Sequence, residues 1–75
     1  MSAVLLGRRL RALRRLKRLT QLELASEVGI SVSMLSTIER GIKYPRVELI
    51  RKLARALDVP LEEFFVLPET VEERR

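Results

Sequence analysis

Cysteine, histidine and tryptophan are absent from this chain of 75 residues, and phenylalanine and tyrosine together occur only three times. Without cysteine there is neither a disulfide framework nor a thiolate site. Without histidine, the commonest general base at neutral pH and a usual ligand of soft metals are missing. We therefore expect neither an enzyme nor a bound metal or other cofactor. No apolar run approaches the roughly 18 residues of a membrane span, so we expect a cytoplasmic protein.

The charge of the chain is unevenly distributed around a net value of +5. Residues 1–20 contain seven arginines and lysines and no acid, whereas residues 58–75 contain six acids and two arginines. A basic segment of this kind suggests an anionic partner. The alternative is that the arginines only form the solvated face of a helix, and charge alone does not separate the two.

Apolar spacing predicts an all-α chain with four helices and a short fifth one. The first runs from Val4 to Arg18. The second begins at a capping box, Thr20 to Glu23, and ends at Gly29. A third follows the N-cap Ser31 and ends at Gly41, a fourth covers residues 47–57, and the last covers residues 61–65. The expected inward residues of the first three helices are Leu6, Leu10, Leu13, Leu16, Leu22, Ala25, Val28, Leu35 and Ile38. Arg9 falls among the leucines, where we expect its stem to pack and its charged end to reach solvent.

Two short helices joined by three residues, 29–31, are consistent with a helix-turn-helix, although many helical hairpins share that spacing. A longer ordered set of residues is more specific: Leu6-Gly7, Leu10-Arg11, Arg14, Leu19-Thr20-Gln21, Leu24-Ala25, Val28-Gly29-Ile30-Ser31, Leu35, Ile38-Glu39-Arg40-Gly41, Pro45, Leu53-Ala54, Ala56-Leu57 and Leu61. In this order and spacing, residues 4–66 closely resemble the Cro and phage-repressor (XRE) family of helix-turn-helix domains.

The resemblance implies a compact five-helix, lambda-repressor-like DNA-binding domain over residues 1–67, followed by a polar tail over residues 68–75. It further implies a DNA-binding transcriptional regulator, expected to be a repressor, whose third helix enters the major groove. A module of this size contacts one half-site, so we expect a homodimer on an inverted-repeat operator in double-stranded DNA.

The first turns of the third helix contain small side chains where base contacts are expected. Val32 and the Thr37 methyl group suit a thymine methyl, while the hydroxyls of Ser33, Ser36 and Thr37 can donate to or accept from several bases. Ser31, at the N-cap, belongs to the same candidate set. Long amide or arginine side chains are nearly missing from these turns, so DNA shape is a second expected source of selectivity.

Other residues are expected at phosphates. Gln21 matches the family position whose side-chain amide contacts a phosphate of the DNA backbone. Arg11 matches a family position near the phosphate side of the first helix. A second basic cluster follows the third helix and is suited to the flanking strand, though basic loops are often only solvated. Its members are Arg40, Lys43, Tyr44 and Arg46.

Arg14 and Glu39 match a pair that the family uses as a partly buried salt bridge, which implies a structural role. Two alternatives to DNA binding remain at this point. One is a protein-interaction module, such as an antitoxin-like regulator, that binds its partner through the apolar residues 64–67. The other is a membrane-surface protein that uses the basic first helix, which lacks the aromatic anchors typical of that class.

Overall fold

The computed structural model describes residues 1–65, which form four α-helices and a short 3-10 helix. The α-helices are α1 (Ala3–Leu16), α2 (Gln21–Val28), α3 (Val32–Glu39) and α4 (Val47–Leu57), and the 3-10 helix spans Leu61–Phe65. The expectation of five helices is therefore corrected to four α-helices and a 3-10 segment, because a five-residue piece favours this tighter form. The predicted tail, residues 68–75, lies outside the described residues.

Side-chain caps and a glycine define the α2–turn–α3 unit, as the sequence predicts. The Thr20 hydroxyl accepts from the Glu23 amide at 3.0 Å, and the Glu23 carboxylate accepts from the Thr20 amide at 2.8 Å. Gly29 has a φ of +79°, the left-handed conformation that ends α2. The Ser31 hydroxyl then accepts from the Met34 amide at 3.0 Å and begins α3. Local sequence thus determines where both short helices begin and where the turn lies.

A single apolar core lies between the helices, with Leu10, Leu24, Leu35 and Phe64 among its fully buried members. Two predicted core residues are wrong, since Leu16 is 74% exposed and Leu22 is 64% exposed. The helical repeat explains both corrections, because residues two apart project about 200° from each other. In α2 the buried Leu24 lies two residues after Leu22, and in α1 the buried Arg14 lies two residues before Leu16. Leu22 and Leu16 therefore face outward.

Helix α1 crosses the end of α3 at Gly7, where the two backbones lie very close together. A Cβ atom at Gly7 would lie 2.5 Å from the carbonyl oxygens of both Ile38 and Glu39. Glycine inside a helix destabilises it by about 0.5–1 kcal/mol relative to alanine. The close approach of α1 to α3 therefore requires glycine at a position where helix propensity alone disfavours it.

The 3-10 helix is joined to α1 by Arg9, whose side chain is partly exposed, as expected, but whose charged end is also paired with Glu63. The Arg9 Nε donates to the Glu63 carbonyl at 2.7 Å, and its guanidinium also forms an ion pair with the Glu63 carboxylate. These bonds lie beside Phe64, which is 1% exposed and completes the core. Arg9 therefore anchors the segment that closes the core between α1 and α4.

Replacing Arg9 by alanine is expected to lower the free energy of unfolding by about 1 kcal/mol, since a partly exposed ion pair and one backbone hydrogen bond are lost. Urea unfolding followed by circular dichroism measures the change. The matched control is Arg8→Ala, which removes an exposed arginine one residue away and is expected to change stability by less than about 0.5 kcal/mol. Equal losses in the two variants would contradict the anchoring role of Arg9.

Candidate nucleic-acid interface

Helix α3 turns one face into the core and presents a face of small side chains on its other side. Leu35 and Ile38 are 0% and 1% exposed. On the opposite side Ser33 is exposed and Ser36 and Thr37 are half-buried, while Val32, one turn before Leu35, is 37% exposed at the edge of this face. These four residues occupy the first two turns of α3, so the structure brings together the side chains that the sequence predicts for base contacts. Such a face is narrow enough to approach base edges in a major groove about 12 Å wide.

Two hydroxyls on this surface already take part in hydrogen bonds within the protein. The Ser31 oxygen accepts from the Met34 amide, as its N-cap position requires. The Thr37 hydroxyl donates to the Ser33 carbonyl at 2.9 Å. Because the Ser31 hydroxyl accepts in its bond, its hydrogen remains available to another acceptor. Because the Thr37 hydroxyl donates in its bond, only its oxygen lone pairs remain available. The N-cap signature in the sequence predicts the bond of Ser31. From the sequence alone, the Thr37 hydroxyl was expected to be able to donate or to accept.

A basic segment follows α3 and leads to α4. Its predicted phosphate contacts are all exposed and comprise Arg40, Lys43, Tyr44 and Arg46. Pro45, between Tyr44 and Arg46, is buried and holds the segment against the protein. The buried Pro45 therefore anchors the segment, and its exposed basic side chains can contact a polyanion.

Arg14 and Glu39 form a bidentate ion pair that links α1 to the end of α3. The Arg14 Nε lies 2.6 Å from Glu39 Oε2, and a second guanidinium nitrogen donates to Oε1 at 3.0 Å. The third nitrogen donates to the Leu19 carbonyl at 2.8 Å. The side chains are 10% and 0% exposed respectively. The guanidinium nitrogens of Arg14 and the carboxylate oxygens of Glu39 therefore all have hydrogen-bond partners despite their burial.

Charge pairing outweighs burial in setting the pKa of Glu39. Burial raises the pKa of this carboxyl. Hydrogen bonds from Arg14 and Gln21 and the charges of Arg14 and Arg11 together lower the pKa by a larger amount, so it lies below its ordinary value. The bond to Glu39 correspondingly raises the pKa of Arg14 despite the opposing effect of burial. Glu39 is therefore ionised at neutral pH and can organise the cationic and amide groups around it.

Two residues that the sequence assigns to phosphates lie beside this pair. The Gln21 Nε2 donates to Glu39 Oε1 at 3.0 Å, and the Arg11 Nε lies 3.6 Å from the same oxygen. A side-chain amide carries two N–H groups, so the second one on Gln21 is still available as a donor. The sequence contained one signal of this cluster, since Arg11 and Arg14 are three residues apart on neighbouring positions of a helix. The contacts of Gln21 and Arg11 with Glu39 were not expected.

The structure divides the apolar segment 64–67 that an interaction module would use. Phe64 lies in the core and is 1% exposed, whereas Phe65 is 43% exposed. Val66 and Leu67 lie outside the described residues. Phe64 is therefore unavailable to a partner. Among residues 1–65, none of the helices has the length and apolar character needed to cross a membrane.

The geometry defines the class as a helix-turn-helix domain, and comparison with known sequences agrees. The chain matches the sequence model described as Helix-turn-helix (HTH_3) over residues 10–64. The chain belongs to this family of helix-turn-helix transcriptional regulators, the XRE family, which confirms the resemblance noted from its motifs.

Individual relatives are similar over most of the chain. The uncharacterized HTH-type transcriptional regulator YazB of Bacillus subtilis is 44% identical over 63 residues, which cover 84% of this chain and 91% of YazB. The HTH-type transcriptional repressor RghR of the same organism is 44% identical over 57 residues, or 75% of this chain, but only 42% of RghR is covered.

Solved structures share the fold. The restriction-modification controller protein C.AhdI of Aeromonas hydrophila has a TM-score of 0.81 and 41% sequence identity, with 84% of this chain and 96% of that chain covered. The clp gene regulator ClgR of Corynebacterium glutamicum has a TM-score of 0.82 and 33% identity, with 84% of this chain and 67% of that chain covered.

Proposed function

We propose that this protein represses transcription by inserting α3 into the major groove of an operator and occluding it. The observation that carries the proposal is the two-sided nature of α3. Leu35, Ile38 and Glu39 hold one side in the core and in the ion pair with Arg14. Outside the core, Val32 and Ser33 are exposed and Ser36 and Thr37 are half-buried. A helix held rigidly in this way can bring short side chains against base edges without reordering on binding. The similarity to RghR, a named repressor, supports repression as the direction of control.

Two groups of phosphate contacts fix the register of α3 in the groove. In the first group, the N-terminus of α2 contributes its backbone amides, its dipole and the remaining N–H of Gln21, with Arg11 nearby. The second group is the exposed basic segment that contains Arg40, Lys43, Tyr44 and Arg46. These contacts are independent of sequence and supply much of the affinity, whereas the small residues of α3 supply base selectivity.

The protein binds its operator as a homodimer. One copy of α3 contacts only a few base pairs, so useful affinity needs two copies related by a two-fold axis, with half-sites about 34 Å apart. The operator is accordingly an inverted repeat. Selection of bound DNA from a random pool tests this directly, and recovery of a single unrepeated site would contradict the dimeric arrangement.

Binding is expected to weaken steeply with salt, and Lys43 and Arg46 contribute to that dependence. Each neutralised phosphate changes the slope of log K against log salt by about 0.9. The double variant Lys43→Ala/Arg46→Ala is therefore expected to reduce the slope by about 2 and to weaken binding similarly for all sequences. Fluorescence anisotropy with labelled operator at several salt concentrations measures both quantities.

The matched control is Arg51→Ala/Arg55→Ala, which removes the same charge from exposed positions of α4. We expect this variant to keep the slope of the unmodified protein. An equal reduction in both variants would show that only overall charge matters. Absence of any binding by the unmodified protein at low salt would overturn the proposed function itself.

A further inference from the structure

The internal bond of Thr37 restricts what its side chain can recognise on DNA. Its hydroxyl hydrogen is directed to the Ser33 carbonyl at 2.9 Å, one helical turn earlier. A threonine hydroxyl has one hydrogen and two lone pairs, so this bond leaves Thr37 able only to accept. Binding to a DNA acceptor would require the hydroxyl to break the bond that the helix already provides. A group that donates toward Thr37 adds to that bond instead of replacing it.

DNA offers few donors in the major groove. Phosphate oxygens, guanine N7 and O6, adenine N7 and thymine O4 all accept, whereas the only donors are the exocyclic amino groups of adenine (N6) and cytosine (N4). An accept-only side chain on the outward face of α3 therefore has no partner on the phosphate backbone. This distinguishes Thr37 from Ser31, whose oxygen accepts from the Met34 amide and whose free hydrogen suits any acceptor, including phosphate.

We propose that Thr37 is a specificity-determining residue that accepts a hydrogen bond from the exocyclic amino group of one adenine or cytosine in each half-site. This inference rests on the proposed insertion of α3 into the major groove and adds which bases one residue selects. The bond to Ser33 also restricts the side-chain rotamer, so the Thr37 methyl group keeps a defined direction beside the accepting oxygen. Thymine and guanine do not place a donor at this position and are disfavoured there.

The test uses DNA from which single amino groups have been removed. A random-pool selection with the unmodified protein first identifies the half-site. At each adenine or cytosine of that half-site, the base is then replaced by its analogue lacking the amino group, purine for adenine or 2-pyrimidinone for cytosine. At one position we expect the unmodified protein to lose about tenfold in affinity, measured by fluorescence anisotropy at fixed salt.

Variants of Thr37 assign that loss to its hydroxyl. Thr37→Val keeps the shape and the methyl group but removes the accepting oxygen, and we expect it to bind the natural and amino-deleted sites within about twofold of each other. Thr37→Ser retains a hydroxyl that can bond to the preceding turn and is expected to keep the discrimination. Ser26→Ala removes an exposed hydroxyl from α2, outside the proposed DNA contacts; it is the matched control and is also expected to keep the discrimination. Circular dichroism verifies that every variant is folded.

The possible outcomes distinguish failure of this inference from failure of the proposed function on which it rests. If the unmodified protein binds no DNA, both the proposed function and the role of Thr37 are overturned. If it binds a defined half-site but is indifferent to removal of every amino group, or if Thr37→Val shows the same tenfold loss, only the role of Thr37 is overturned. Loss of discrimination in Thr37→Val, together with its retention in Thr37→Ser and Ser26→Ala, supports it.

Discussion

Replacing Glu39 by alanine is expected to lower the melting temperature by at least about 12 °C. The change leaves the Arg14 guanidinium buried without its counter-ion and removes the acceptor of the Gln21 amide. Breaking one side of a buried pair costs about 3–5 kcal/mol. For a domain of 60–100 residues, each kcal/mol corresponds to about 4–8 °C. Thermal unfolding followed by circular dichroism measures the shift.

Two further variants distinguish loss of this particular pair from loss of any acid. Glu27→Ala removes an exposed carboxylate and is expected to change the melting temperature by only a few degrees. The double variant Arg14→Met/Glu39→Met replaces both charges by apolar side chains, and we expect it to recover much of the stability lost in Glu39→Ala. Equal melting temperatures for Glu39→Ala and Glu27→Ala would contradict the structural role of the pair.

The lowered pKa of Glu39 gives the same pair a signature in acid. The folded-state pKa lies below the unfolded value, so its contribution to stability is complete above the ordinary pKa of a glutamate, about 4.3, and is lost as pH falls through the lower folded-state pKa. Glu39→Gln lacks this carboxyl and is expected to show a shallower decline in stability below about pH 4.3 than the unmodified protein. Parallel acid profiles would argue against this assignment.

Replacing Gly7 by alanine is the second change for which we expect a large effect, and its sign is opposite to that expected from helix propensity. Alanine in a helix interior is favoured over glycine by about 1 kcal/mol. At Gly7 the added Cβ would meet two backbone carbonyl oxygens at 2.5 Å, and these atoms move only if α3 moves. We expect a net loss of about 2–3 kcal/mol, as for overpacked cores. Urea unfolding provides the measurement.

The control for Gly7→Ala lies in the same helix. Ala12 is exposed in α1, so Ala12→Gly is expected to cost about 1 kcal/mol through helix propensity alone. If Gly7→Ala stabilises the protein, the close approach of α1 to α3 is wrong. Because this crossing also positions Glu39, we expect the Gly7→Ala protein to bind DNA more weakly even where it remains folded.

Much of the fold was predictable because its signals are local. The capping box at Thr20, the left-handed glycine at Gly29 and the N-cap at Ser31 each act within one helical turn, and all three are confirmed. The outward and inward faces of α3 followed from the same helical repeat. Local signals were less informative at the ends of the chain, where the last predicted helix proved to be a 3-10 segment.

By itself, the sequence determined the helix-turn-helix, its family and the small residues that α3 presents, since these depend on spacing along a single helix or turn. Only the tertiary structure decided the partners of residues distant in sequence. Arg9 bonds to Glu63, and Gln21 donates to Glu39 rather than being committed entirely to solvent or phosphate. The sequence lacks this information because each of these contacts depends on how two helices are placed in space.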